Sequence, residues 1–251
     1  GHCCAQHAIL AGTAGLRELL SPNQLRQLLG QETEPQWLTS EISTRRTFTL
    51  HRYLTDTLHV AEFSREMLAR RASSEFFAAQ PDDWMIRFYT YLLHQHPLWS
   101  PKSGGKNEGL LRQQPFLRLS TGDHVAPFTA DDTPAVFLPT SCDLNVPLVK
   151  QSIAADEQVN EFLRRLGLKE PDIVDEVINS VLPRYQGAIS PDRLEGTEYT
   201  ADIQAIATAL RTDSAICVLP WLLPRPSHRL WGKGIGCHDE AVATMGCYRD
   251  V

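Results

Sequence analysis

The residues best suited to metal chemistry are cysteines and histidines near the end of the chain. Cys237, His238 and Cys247, together with His228, offer the sulfur and nitrogen ligands that tetrahedral zinc accepts. Structural zinc sites usually supply a closely spaced pair of cysteines, and this set lacks one. The spacing therefore predicts no metal site, and the six dispersed cysteines are expected to be free thiols.

Two other sets of residues could bind phosphate or transfer protons. Lys233 lies among the glycines of 232–236, and glycine amides with a lysine can hold a phosphate. A P-loop continues into Ser or Thr, whereas Lys233 precedes glycine. Asp172, Asp175 and Glu176 could transfer protons, but they fall in the first turn of a predicted helix, where acids act as capping charge. We therefore predict no catalytic, cofactor-binding or metal-ligating residue.

We predict that one basic edge of the chain contacts a partner. It consists of Arg164, Arg165, Lys169 and Arg184. Such an edge could meet the acidic groups of a protein or the phosphates of a nucleic acid. Its alternative role is to form ion pairs on the surface of the chain itself.

These basic residues must be positioned by two helices predicted between residues 156 and 185. Asp156 is a good N-cap, and Gly167 occurs where a left-handed C-cap residue belongs. Pro171 predicts the start of the second helix, and Pro183 predicts its end. Both helices carry apolar residues at helical spacing, which is typical of helices that pack on a core.

The remaining sequence predicts further helices and one small β insert. Helical patterns occur within 8–20, 22–29, 50–58, 63–68, 81–96 and 199–210. Ser21 and Gln24 fit a capping box at the start of the second of these, and Gly30 follows its end. Around 116–138 the pattern changes to that of an antiparallel hairpin, with a third strand at 135–138. The predicted fold class is therefore α+β and predominantly helical.

The polar, glycine-containing stretch 100–114 is the best internal boundary. It is predicted to link an N-terminal helical region, 1–99, to a β insert followed by a helical module, 115–213. Residues 214–251 show no sustained period, and we predict an irregular, disordered or non-native tail.

Charge and composition narrow the classes of function. The 24 basic and 30 acidic residues give a net charge of −6, which provides no bulk attraction to nucleic acid or to an anionic membrane. No run approaches the roughly 18 apolar residues of a membrane span, and no signal-peptide pattern occurs at the start. We expect a cytoplasmic protein without membrane contact. Because the chain begins with Gly1, we interpret it as an internal piece of a longer protein.

Several phrases, taken in order, resemble the bacterial and plant relatives of sacsin. These are large proteins in which long helical regions follow an ATP-binding domain of the histidine-kinase/Hsp90 type (GHKL). The resemblance covers roughly residues 16–213. Its most specific phrases are WLTSEIS (Trp37–Ser43), DDWMIRFYTYL (Asp82–Leu92), RLSTGDHVAPF (Arg118–Phe128) and FLRRLGLKEPDIVDEVINSVLPRY (Phe162–Tyr185).

The resemblance implies a chaperone-like ATPase protein whose nucleotide site lies in a domain that precedes this segment. The Asn-bearing helix, the Asp-x-Gly-x-Gly loop and the glycine-rich lid of such a domain do not occur in order in this sequence. We therefore expect no residue of this chain to bind a nucleotide. It implies instead a non-catalytic helical scaffold or coupling segment. Its expected partners are the ATPase domain, neighbouring helical modules of the same protein, and a protein client.

The sequence is also compatible with two other functions. One is a module that binds a peptide or nucleic acid through the predicted hairpin and the basic edge, although the net charge makes nucleic acid the less favoured partner. The other is a small stand-alone enzyme, because a catalytic triad assembled in space is invisible in a sequence.

Overall fold

The computed structural model of the chain describes residues 7–101, 107–142, 144–185 and 197–212. The lysine and zinc candidates between 228 and 247, and the predicted tail, lie outside these ranges. The described chain is α+β and predominantly helical, with a parallel and an antiparallel sheet.

The first sheet is parallel and has the strand order β2-β1-β3. Its strands are β1 (Ala8–Ala11), β2 (Gln36–Trp37) and β3 (Ala61–Phe63). The prediction of a helix from residue 8 is wrong, because the helix begins only at Ala14. The run AILA is apolar at consecutive positions, which suits a strand covered on both faces. Ile9 belongs to the main core, whereas Ala8 and Leu10 pack on the opposite side.

The helices vary in length and several are single turns. They are α1 (Ala14–Leu19), α2 (Pro22–Leu29), α3 (Phe48–Arg52), α4 (Arg65–Arg71), α5 (Ser74–Ala78), α6 (Asp82–Leu93), α7 (His96–Trp99), α8 (Gln151–Ala154), α9 (Glu157–Leu166), α10 (Ile173–Glu176) and α11 (Thr197–Thr212). A π-helical turn, Tyr53–Thr57, continues α3. A second π-helical turn, Val177–Val181, and a 3₁₀ turn, Leu182–Tyr185, continue α10.

The capping signals correctly locate the ends of α2 and α9. Ser21 and Gln24 form the reciprocal hydrogen bonds of a capping box at α2. The side chain of Asp156 accepts hydrogen bonds from the first backbone amides of α9, and Gly167 ends it at φ 108°. These ends are set by interactions within a few residues, which is why the local sequence predicts them.

The helix after α9 differs from its prediction at both ends. Asp172, rather than Pro171, forms the N-terminal boundary, because its carboxylate accepts the amide hydrogen bond of Asp175. Pro183 does not terminate the segment but lies within the 3₁₀ turn. Pro183 is the second residue of that turn, and the first residues of a helical turn donate no amide hydrogen bond within it, so a proline fits there.

The predicted hairpin forms, but the predicted third strand does not. Strands β4 (Leu117–Arg118) and β5 (His124–Val125) pair antiparallel. Within 135–138, Phe137 makes an isolated bridge to Leu148 instead of joining this sheet. Prolines 134 and 139 flank the segment, and proline supplies no amide hydrogen for a longer ladder.

One large core spans the chain from Ile9 to Leu168, on both sides of the predicted linker. Helix α6 lies at its centre and packs against α1, α8 and α9. Within the linker, residues 102–106 lie outside the described ranges, whereas Leu111 and Arg112 are buried. The guanidinium of Arg112 stacks 3.8 Å above the ring of Phe128, so this part of the linker belongs to the core.

A second, smaller cluster joins the segment 173–185 to α11. Val177, Val181 and Ala209 are buried within it. Tyr185 donates a hydrogen bond to Asp202 (2.7 Å), and burial together with this carboxylate raises the pKa of Tyr185 to about 12. The amide of Asn145 donates to Glu176 (3.0 Å), which connects the cluster to the preceding loop.

Candidate functional site

A connected group of ionisable side chains surrounds Arg118 on strand β4. The guanidinium donates from Nη1 to Asp82 Oδ1 (2.6 Å) and from Nε to His124 Nε2 (3.2 Å). The other oxygen of Asp82 accepts a hydrogen bond from the ammonium of Lys150 (2.6 Å). We call these four residues, Asp82, Arg118, His124 and Lys150, the Arg118 network.

Backbone contacts fix Arg118 more firmly than its ion pair alone would. Its Nη2 donates to the carbonyl oxygens of Phe77 (2.9 Å), in α5, and Gln80 (2.6 Å), in the turn before α6. Its own amide donates to the hydroxyl of Tyr89 (3.0 Å), and its carbonyl accepts from the amide of Lys150 (2.9 Å). One buried residue therefore ties the hairpin to two helices and to the start of α8.

The local sequence explains why a charged residue occupies this position. Arg118 stands between Leu117 and Leu119, and all three side chains are buried. A guanidinium is tolerated in such a place when carboxylate and carbonyl oxygens accept its hydrogen bonds. Asp82 opens α6, where the helix dipole also favours a negative charge.

The charges of the network settle the protonation of two of its members. The hydrogen bonds from Lys150 and Arg118 hold the pKa of Asp82 below its usual value, against the opposing effect of burial. Burial and the neighbouring Arg118 charge lower the pKa of His124 from 6.5 to about 4. At neutral pH the network thus contains an ionised carboxylate and a neutral imidazole that accepts a hydrogen bond from Arg118.

This arrangement suits a structural link better than catalysis. The carboxylate of Asp82 is held by two cations, and the hydroxyl of Ser152 also approaches it at 3.4 Å. Such a carboxylate is a weak base because every hydrogen bond to it favours the ionised form. His124 is occupied by Arg118 and stacks on the ring of Phe77. A general base instead needs a pKa near the working pH and a free route to substrate.

None of the four members of the network was predicted as a site residue from the sequence. Asp82 and Lys150 are 68 positions apart, and no short motif connects them. The one available signal was Arg118 itself, a charged residue flanked by leucines in a predicted strand. That pattern indicates a charge that faces the core and needs a partner, but it does not identify the partner.

The four predicted partner-contact residues each form an ion pair within the chain. Arg164 pairs with Glu170 (3.1 Å), Arg165 with Glu161 (2.5 Å), Lys169 with Asp175 (2.8 Å) and Arg184 with Asp202 (3.1 Å). Arg164 and Arg165 line a shallow, open concavity beside α8 and α9. Lys169 follows α9, and Arg184 belongs to the second helical cluster. Each of the four positive charges is therefore paired with a different acidic residue of the chain.

Two kinds of feature are absent from the ranges that the structure describes. Within those ranges, no three side chains of His, Cys, Asp or Glu lie close enough together to coordinate a metal ion. The helices described there also lack the length and apolar character needed to cross a membrane.

The network predicts that mild acid destabilises the folded chain. Between pH 6.5 and about 4, His124 remains neutral in the folded chain but becomes protonated when unfolded. The free energy of unfolding should therefore fall as the pH drops through this window. Below the ordinary Asp value of 3.8, loss of the Asp82 charge acts in the same direction.

Urea unfolding at pH 4.5, 5.5, 6.5 and 7.5 measures this effect. His124→Gln is the matched control, because its amide oxygen can still accept from Arg118 but does not titrate. Every other histidine is shared by the two proteins and cancels in the comparison. Equal pH slopes for the parent protein and His124→Gln would show that His124 does not carry the effect.

No protein-family model, curated protein or solved structure matches this chain. The resemblance to sacsin-like proteins stays a prediction from the sequence.

Proposed function

We propose that this chain is a non-catalytic helical scaffold or coupling segment of a sacsin-like, chaperone-type ATPase protein. The observation that carries the proposal is the Arg118 network. This connected ionisable group has its hydrogen bonds directed at neighbouring elements of the fold. Its chemistry joins parts of the structure rather than leaving a reactive group for a substrate.

Mechanical continuity between the described elements supports a coupling role. Helices α6 and α9 share the main core, and the Arg118 network joins α6 to the hairpin and to α8. The amide of Leu138 donates to the carbonyl of Lys169 (2.9 Å), just before the second cluster begins. A displacement applied to one side of such a scaffold is passed on through packed elements, which is the requirement for coupling two neighbouring modules.

A nucleotide-binding measurement tests the non-catalytic assignment. A ligand that binds the folded chain raises its free energy of unfolding, by about 2.7 kcal/mol at a hundred times its Kd. We expect urea unfolding with millimolar Mg-ATP to match that with Mg²⁺ and sodium sulfate at equal ionic strength. We also expect no release of phosphate above the buffer rate.

A nucleotide-specific stabilisation would contradict the proposal. So would ATP hydrolysis that co-elutes with the purified chain and persists after a second chromatographic step. The sulfate control separates binding of the nucleotide from a general effect of anions on stability.

A further inference from the structure

The second cluster, made of the segment 173–185 and α11, does not share the apolar packing of the main core. The main core ends at Leu168. Among the described residues, the apolar side chains that pack in the two cores have no member in common. Residues 168–172, which connect the cores, belong to no helix or strand. The two cores are therefore joined by an irregular stretch of chain and by the contacts across their boundary.

The elements of the second cluster pack mainly on one another. Helix α10, the π-helical turn Val177–Val181 and α11 are in mutual contact. No described helix or strand of the main core packs extensively against any of them. The boundary is formed instead by the loop 139–149, which precedes α8. We call this segment the boundary loop.

The second cluster is also small. Five of its described apolar side chains are buried: Val177, Val181, Leu182, Tyr185 and Ala209. Its described part is shorter than the roughly 40 residues below which a fold usually needs further support. We therefore expect its stability to depend on the contacts that hold it to the boundary loop.

One residue of the boundary loop, Asn145, makes two hydrogen bonds to the second cluster. Its backbone amide donates to Glu176 Oε1 (3.0 Å), and its carbonyl accepts a hydrogen bond from the hydroxyl of Ser180. The loop itself is fixed on the side of the main core, where buried Phe137 donates to the carbonyl of Pro147 and accepts from the amide of Val149 (both 3.0 Å). Asn145 thus connects a fixed loop to the second cluster.

The two side chains that bind Asn145 lie on one face of a helical segment. Glu176 directly precedes the π-helical turn, and Ser180 lies within it. Residues four positions apart on a helix are neighbours, so both side chains reach the same residue. Both hydrogen bonds are exposed to water. Exposed hydrogen bonds contribute little net stability, because water replaces them when they break.

A second contact keeps the chain in place beside these hydrogen bonds. The carbonyl of Lys169 accepts from the amide of Leu138 (2.9 Å), and its ammonium pairs with Asp175 (2.8 Å) at the start of the second cluster. Lys169 precedes the cluster in the chain, so it remains next to the main core when the hydrogen bonds of Asn145 break. It provides the pivot about which the cluster is attached.

We propose that the second cluster opens as a unit while the main core stays folded, and that Asn145, Glu176 and Ser180 form the latch that holds it closed. The inference rests on the scaffold function proposed above and identifies the part of the scaffold that moves. With the latch closed, α11 keeps a fixed position relative to α9. With the latch open, the second cluster loses its packing, and a displacement of α9 no longer reaches α11. Such local unfolding is a known form of conformational switch.

Native-state hydrogen exchange of the full chain, followed by mass spectrometry at low urea concentrations, tests the inference. After correction for intrinsic rates, we expect the amides of 173–181 and α11 to exchange at least about ten-fold faster than those of α6 and α9. Their exchange should also depend less on urea, because opening the second cluster exposes less surface than global unfolding does.

Removal of the latch side chains should affect the second cluster alone. Glu176→Ala/Ser180→Ala deletes both side chains that bind Asn145, and exchange in the second cluster should become about five- to ten-fold faster. Exchange in α6 and α9 should be unchanged. Alanine is the strongest helix former, so a loss of helix propensity does not account for faster exchange.

Glu198→Ala/Thr208→Ala is the matched control. Glu198, like Glu176, is an acidic residue in a first helical turn, and the hydroxyl of Thr208 donates to the carbonyl of Gln204 in its own helix. Both residues belong to α11, and no described hydrogen bond joins either of them to the boundary loop. This variant should exchange within about two-fold of the parent protein.

A substitution inside the second cluster tests whether it opens as one unit. Tyr185→Phe removes the hydrogen bond to the buried carboxylate of Asp202. Exchange throughout 173–181 and α11 should become about ten-fold faster, since a buried polar group loses a partner. Exchange in α6 and α9 should again be unchanged.

Three outcomes would overturn the inference. The second cluster could exchange with the same rate and urea dependence as α6 and α9, which would make the described chain one cooperative unit. It could lack protection altogether, so that a latch would have nothing to hold. Glu176→Ala/Ser180→Ala could exchange like its control, which would show that Asn145 does not hold the cluster. None of these outcomes involves nucleotide, so failure of the latch is distinguishable from failure of the scaffold assignment in the Mg-ATP test.

Discussion

Replacing Arg118 with methionine is expected to lower the free energy of unfolding by about 3–5 kcal/mol. Methionine fills much of the space but donates no hydrogen bond. The substitution leaves the carbonyl oxygens of Phe77 and Gln80 without the guanidinium that now binds them, in a buried environment. It also leaves Asp82 with Lys150 as its remaining ion-pair partner. Urea unfolding at pH 7 measures the loss.

Two control substitutions separate this effect from the general loss of a positive charge. Lys150→Met removes a half-exposed partner of the same carboxylate and should lower the free energy of unfolding by about 1 kcal/mol or less. Arg164→Met removes an exposed pair with Glu170 and should change it by less than about 0.5 kcal/mol. If Arg118→Met were no more damaging than Arg164→Met, the network would not hold the hairpin to the helices.

The ends of α2 and α9 could be predicted because their causes are local. Ser21 binds a residue in its own first helical turn, and Asp156 and Gly167 act on the ends of one helix. The apolar spacing that identified α9 also identified its buried face, which contains Val159 and Phe162. In each case the sequence within one or two helical turns contains the whole interaction.

The parallel sheet and the Arg118 network could not be predicted in the same way. Strand β1 pairs with strands about 28 and 52 positions later, and each partner is two or three residues long. Short apolar runs do not distinguish a strand from a helix without knowledge of such partners. Arg118 finds its carboxylate 36 positions away and its carbonyl acceptors further still. The strand pairs and the hydrogen bonds of Arg118 join residues that are brought together only in the folded core. No local sequence pattern therefore predicts them.

The π-helical turns were missed for a related reason. The segment 50–58 has apolar residues at helical spacing, so its pattern predicts one regular helix. In the structure the hydrogen-bond pattern changes at Tyr53, and the amide of Leu58 donates to its carbonyl. The π-helical turn ends at Thr57, and His59, with a φ of 51°, then leads the chain towards β3. That geometry depends on the sheet that the helix covers.

The aromatic centre of the core allows a second large effect to be predicted. Phe162 on α9 is fully buried, and its ring lies 5.9 Å from Tyr89, 5.7 Å from Trp99 and 6.4 Å from Phe116. Phe162→Ala removes the ring and leaves a cavity among side chains that are held by hydrogen bonds. Tyr89 donates to the carbonyl of Phe116 (2.9 Å), which limits how far these neighbours can move to fill the space.

We therefore expect Phe162→Ala to lower the free energy of unfolding by about 3–5 kcal/mol. Phe48→Ala is its matched control: the same atoms are removed from a side chain that is 60% exposed, so the expected change is within about 0.5 kcal/mol. Urea unfolding followed by tryptophan fluorescence measures both, since Trp99 contacts the Phe162 ring. A large loss for Phe48→Ala would show that this side chain is already covered in solution. A small loss for Phe162→Ala would show that α9 is not held by the aromatic core, and the coupling of α6 to α9 would have to be rejected.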